Sequence, residues 1–149
     1  MFEYYAACWR KYADFSGRAR RREYWFFQLV NFIINIVGSL TIGLVLPAAW
    51  TFLSFGYSLA ILVPNLAVSA RRLHDTGRSG WLQVLPLAPL GLLVFLFVPG
   101  ISASVSFLLI GLMVLGLLAC GIVLLVFYCL RGTPGTNRFG PNPKEMAES

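Results

Sequence analysis

The stretch Ala70-Arg71-Arg72-Leu73-His74-Asp75-Thr76-Gly77-Arg78-Ser79-Gly80-Trp81 decides how this 149-residue chain is read, because of what lies on either side of it. Upstream, no Asp, Glu, Lys, Arg or His occurs between Tyr24 and Ala70, and downstream none occurs between Ser79 and Leu130. A soluble core of that length needs charged faces to solvate it. Soluble domains carry about a quarter charged residues, whereas this chain is 12% charged and 58% hydrophobic, with a mean hydropathy of +0.73. The two runs are membrane-embedded, and the quoted stretch is polar ground between them.

A helix needs about 20 apolar residues to cross a bilayer, and each run is long enough for two crossings. Pro47 divides the first run into 24–46 and 50–69, and Pro99-Gly100 divides the second into 81–98 and 105–130. Proline and glycine interrupt helices at such points. Helices are required because lipid offers no partner to backbone N–H and C=O groups. The sequence therefore predicts an all-α membrane protein, one membrane domain with four transmembrane helices and a tail over 131–149.

Charge sets the orientation. Arg10, Lys11, Arg18, Arg20, Arg21 and Arg22 precede the first span, Arg71, Arg72 and Arg78 lie between the second and third, and Arg131, Arg138 and Lys144 follow the fourth. Four crossings put all twelve positives on one side, which the positive-inside rule makes cytoplasmic, with both termini there. Two crossings would strand the middle three arginines on the far side. Trp25 and Trp81 then fall at the inner interface and Trp50 at the outer, where indoles prefer to sit. Within 1–16, Phe2, Tyr5, Trp9 and Tyr12 recur at helical spacing opposite Glu3, Arg10, Lys11 and Asp14. That pattern predicts an amphipathic interfacial helix on the inner leaflet, with a helix packed under the bundle or a frayed terminus as the competing readings. The run after Tyr24 exceeds a signal-peptide core, so the first helix is expected to persist in the mature protein.

Three cysteines, two within an apolar segment, do not form a disulfide framework, and one histidine gives no metal-ligand cluster. No metal, cofactor or nucleic acid is expected. Inside the bundle, Gln28, Asn31, Asn35 and Ser39 share one helix face. Such a stripe should point inward, as interhelical hydrogen bonds or as the wall of a wet path. No ionisable group accompanies it, which disfavours an ion-coupled carrier. Pro64, Pro86 and Pro89 should bend the second and third spans.

Polar chemistry is concentrated in three segments that the topology brings to one face: 15–25, 70–81 and 135–143. Here the chain resembles the bacterial inner-membrane proteins grouped as domain of unknown function 805, the YhaH-like proteins. The family pattern has a Gly-Arg-x-x-Arg-x-x-x-Trp entry to the first span, an Arg-Arg-Leu-His-Asp-x-Gly-x-Ser-Gly-Trp loop, and a closing Asn-Arg-aromatic-Gly-x-[Asp/Asn]-Pro. Matching positions are Gly17, Arg18, Arg21 and Trp25, then Arg71 to Asp75, Gly77, Ser79, Gly80 and Trp81, then Asn137 to Gly140 with Pro143. Asn142 stands where the family often has Asp. The resemblance implies an inner-membrane location and no assigned activity.

The residues themselves suggest an anion site. Ser16-Gly17-Arg18 and Thr76-Gly77-Arg78 are expected to lead into the first and third spans, whose N-termini carry unpaired N–H groups, and Ser79 is placed to cap the third. Glycine allows close approach and arginine grips phosphate or carboxylate. With Arg21, Arg71 or Arg72, His74, Asp75, Asn137 and Arg138, these residues form the expected site, and anionic phospholipid is the expected ligand. The competing reading is structural: Asp75 and Glu23 pair with the arginines and fix the loops. His74-Asp75 acid–base chemistry is disfavoured, since sequence neighbours rarely face each other and no nucleophile is evident, so no catalytic residue is assigned. The expected function is a non-catalytic lipid-associated or partner-binding module. A small oligomeric transporter or channel with an amide-lined path is the alternative, and a second copy or another membrane protein is a possible partner.

Overall fold

The computed structural model describes residues 2–97 and 99–143. Among these the regular elements are all helices, with one isolated bridge between Asn137 and Gly140 and no strand. It divides into two compact units, Met1–Gly80 with Arg131–Ser149, and Trp81–Leu130. Lys144 and the rest of the tail beyond Pro143 lie outside the described residues, as do Val98 and the side chain of Phe2.

In the first unit α1 spans Phe2–Arg10, α2 spans Arg21–Gly38 and runs on as a π-helical turn over Ser39–Gly43, and α3 spans Pro47–Asp75. Pro47 opens α3 at its first turn, where a missing N–H costs nothing and the fixed φ suits the helix. The aromatic residues of α1 divide between two surroundings. Tyr4 stacks on Phe26 and Tyr5 on Phe27, at ring separations of 5.9 and 5.4 Å, while Trp9 and Tyr12 remain exposed.

The expected 50–69 helix continues six residues further. Arg71, Arg72, His74 and Asp75 are its last turn rather than a loop. Thr76 and Gly77 close it: Gly77 takes a φ of +74°, its N–H donates to His74 O at 2.9 Å, and Arg78 N–H donates to Leu73 O at 3.0 Å. A left-handed residue at this position satisfies the last carbonyls of a helix, and glycine adopts it without a Cβ clash. Ala67 to Leu73 and Asp75 are buried, whereas most of α3 before Pro64 is not. The first unit's core sits at this polar end.

The second unit holds α4, Leu87–Leu90, flanked by 3₁₀ turns over Gly80–Val84 and Gly91–Phe97, and then α5, Ala103–Cys129. Ser102 caps α5 by accepting from Val105 N–H at 3.5 Å. The helix expected over 81–98, bent at Pro86 and Pro89, is thus a chain of short helical pieces. Pro86 and Pro89 lack the N–H groups that an unbroken α ladder requires, and 3₁₀ geometry takes over around them. Three helical stretches are long and apolar enough to cross a membrane: Arg21–Gly43, Pro47–Asp75 and Ala103–Cys129. Gly80–Phe95 is apolar and shorter.

Candidate functional site: an arginine-clasped polar knot

The three motif segments meet at the end of α3. Arg18 enters on extended chain ahead of α2 and donates from Nε to Asp75 Oδ1 at 2.9 Å. Its other nitrogens reach the C-terminal segment, Nη1 donating to Gly135 O at 2.7 Å and Nη2 to Thr133 O at 2.6 Å. One buried guanidinium therefore ties all three stretches of chain together. Arg72, fully buried one helical turn before Asp75, donates from Nη1 to the second carboxylate oxygen at 2.5 Å. Asp75 is held between two arginines, and its backbone O accepts Thr133 N–H at 2.8 Å. Gly132 packs directly on this carboxylate: a Cβ there would fall 2.1 Å from Asp75 Oδ2. Charges this well buried persist only when paired and hydrogen-bonded, as these are.

Around the triad lies a second layer. His74 Nδ1 sits 3.2 Å from Gly17 O, and its ring stacks on Phe139 with centroids 3.9 Å apart. Asn137 donates from Nδ2 to His74 O and to Thr133 Oγ1, both at 2.9 Å, and its Oδ1 accepts Phe139 N–H. Arg138 donates to Gly77 O at 3.1 Å and lies 4.7 Å over the Phe139 ring. Gly80 sits against Ala70, where an added Cβ would come within 2.8 Å of the alanine methyl. Ala19 N–H donates to Arg71 O at 3.0 Å.

The expected site residues fall into distinct roles. Arg18, Arg72, Asp75, His74, Asn137 and Gly17 meet in the knot. Arg71 is buried beside it and faces Glu23, with Nη2 3.6 Å from Oε1. Ser16 donates from its hydroxyl and its N–H to Asp14 at 2.5 and 3.0 Å, holding that carboxyl below the usual range, and takes no part in starting α2. Gly77 ends α3, and the next element is the five-residue 3₁₀ turn Gly80–Val84, so Thr76-Gly77-Arg78 does not lead into an α-helix. Arg78 donates to Thr76 O, and Ser79 is half-buried beside Gly80. Arg21 and Arg138 are exposed. His74 and Asp75 serve different partners and form no dyad. Among the described residues, no three His, Cys, Asp or Glu side chains gather at metal-ligand distance.

Within the spans, Asn31 is fully engaged. Its Oδ1 accepts from the hydroxyls of Tyr57 and Tyr5, and its Nδ2 donates to Phe27 O at 2.7 Å. Gln28 donates to Asn65 Oδ1 at 2.6 Å, joining α2 to α3, and Asn35 donates to Asn31 O at 2.9 Å. Ser39 is exposed on the π-helical turn. A groove of about 510 Å³ lies over Gln28, Asn31 and Asn35, walled by Trp25, Phe32 and Ile61.

Several contributors escape sequence reading. Gly132, Thr133 and Gly135 act through backbone atoms or through lack of a side chain, and no pattern marks them. Tyr57 and Asn65, polar residues in an apolar run, were the available signal for the partners of Asn31 and Gln28.

Comparison with known proteins supplies the family. The model for "Protein of unknown function (DUF805)" matches residues 12–141. Inner membrane protein YhaI of Escherichia coli (strain K12) is 40% identical over 146 residues, covering 95% of this chain and 96% of its own. Inner membrane protein YhaH of the same organism is 36% identical over 145 residues, covering 95% and 97%. No solved structure matches.

Proposed function

The chain belongs to the DUF805 family of proteins of unknown function, and from that membership we propose a four-pass inner-membrane module, non-catalytic, whose basic cytoplasmic face engages anionic phospholipid. Support for an even number of crossings comes from the knot. Arg18 ahead of α2, Asp75 at the end of α3 and Thr133 after α5 are mutually bonded, so the chain leaves and re-enters the same side. Gly80 and Gly132, either side of the second unit, both pack on the last turns of α3. Because α5 crosses once, the stretch from Gly80 to Phe97 is the matching pass. Its 3₁₀ turns rise about 2 Å per residue, which brings these few residues to about the 30 Å of a hydrocarbon core. The twelve basic residues give the sidedness.

The observation that carries the lipid reading is a collar of exposed rings and cations where α1 meets the start of α2. Trp9, Tyr12, Phe15 and Trp25 are exposed there among exposed Arg10, Lys11, Arg21 and Arg22. Aromatic rings favour the headgroup level, and each basic residue beside an anionic leaflet contributes about 1 kcal/mol. The ligand-facing cations are this collar with Arg138, while Arg18, Arg71 and Arg72 hold the knot on which it is mounted. Spin-labelled phosphatidylglycerol in bilayer nanodiscs tests this. The intact protein should enrich the anionic lipid over phosphatidylcholine, and Arg21→Ala/Arg22→Ala/Arg138→Ala should lower that enrichment several-fold. Equal enrichment by both proteins would refute the assignment. Conduction along the amide face is the weaker reading: it has the groove in its favour, but Asn31 is already committed to Tyr5, Tyr57 and Phe27.

A further inference from the structure

The amides of α2 are not equally satisfied. Asn31 uses both ends of its side chain, whereas Gln28 and Asn35 each make a single hydrogen bond as donor among the described residues. Both residues line the groove. In hydrocarbon such groups cannot fall back on water, and each one left unpaired is costly.

Depth narrows what can meet them. A helix rises 1.5 Å per residue, which puts Gln28 about 10 Å and Asn35 about 20 Å along α2 from Arg21. In a hydrocarbon core about 30 Å thick, Asn35 lies beyond the reach of headgroups and ester carbonyls. Acyl chains have no donors or acceptors to offer. The occupant has to bring hydrogen-bonding groups of its own to mid-membrane, with apolar surface to cover Phe32 (62% exposed) and Leu29 (49% exposed).

We propose that the occupant is a second copy of this chain, docking its own α2 through Gln28, Asn35 and Phe32 about a twofold axis. An amide is donor and acceptor at once, so the same face turned through 180° supplies both missing partners, as a self-complementary interface requires. The neighbouring apolar residues then pack helix on helix. The inference does not depend on the anionic-lipid reading, since it concerns a different depth and different residues.

The test uses the full chain in lipid vesicles and native membranes. Asn35→Leu removes the deepest amide and only one hydrogen bond, to its own helix, so the variant should retain the parent's helical circular dichroism. In vesicles, subunit exchange followed by fluorescence transfer should show a dimer that Asn35→Leu weakens about tenfold. In a background with Cys8, Cys120 and Cys129 replaced by Ala, Phe32→Cys should oxidise to a covalent dimer, and Phe55→Cys, exposed on α3, should not. A monomer at every protein-to-lipid ratio overturns the proposal, as does a dimer that Asn35→Leu leaves unchanged. Oxidation that links residue 32 only to an unrelated membrane protein also overturns it.

Discussion

Asp75 has two arginines on its carboxylate, a glycine backbone against it, and an N–H from Thr133 on its own carbonyl. Removing one partner of a buried ion pair leaves the other charge stranded, at a cost of about 3–5 kcal/mol. Asp75→Ala should lower unfolding free energy by that order in detergent titrations. Arg18→Met/Arg72→Met/Asp75→Leu should be milder, because no member of the triad is left stranded without its partner. Gly132→Ala drives a methyl into the carboxylate and should lower the melting temperature by several degrees, while alanine at Gly121, where a Cβ meets nothing within 4 Å, should not. Cys8 gives a third residue-scale outcome. Burial, aided by the Glu23 carboxylate, pushes its thiol up to about 12. Since only the thiolate reacts, iodoacetamide at pH 8 should modify it about a thousandfold more slowly in the folded protein than in the unfolded chain. Comparable rates would place Cys8 at the surface.

At the scale of elements, α2 and α3 are joined by amide and hydroxyl contacts spaced along their length. Tyr57→Phe removes a donor to Asn31 and should cost about 0.5–2 kcal/mol, the range found for hydrogen bonds between membrane helices. Gln28→Leu should cost a similar amount, and combining it with Asn65→Leu should add little, because both changes remove the same bond. The spans over α2, α3 and α5 were legible in the sequence because charge-free length and proline breaks are one-dimensional signals. The extension of α3 to Asp75 was not. Charged residues read as loop, and only the pairing of Arg72 and Arg18 with Asp75 lets the helix end be buried. Over 81–98 the sequence indicated a helix bent at Pro86 and Pro89, and the structure has short helical pieces there, because each proline removes a ladder N–H and 3₁₀ geometry takes over around it.

For the molecule as a whole, the sequence brought three arginine-bearing segments to one face by counting crossings, and the structure joins them by contact. Which arginines are internal was hidden from the sequence. Arg18 and Arg138 look alike in a motif, and burial separates them through carbonyls of Thr133, Gly135 and Gly77 that carry no sequence mark. On the proposed topology, residues 81–130 leave the motif face and return to it. Labelling of single cysteines by an impermeant maleimide in spheroplasts, in the cysteine-free background, tests this. Ile101→Cys should react from outside, and Thr136→Cys only after the membrane is opened. Reaction of Thr136→Cys in intact spheroplasts, or protection of Ile101→Cys, would contradict it.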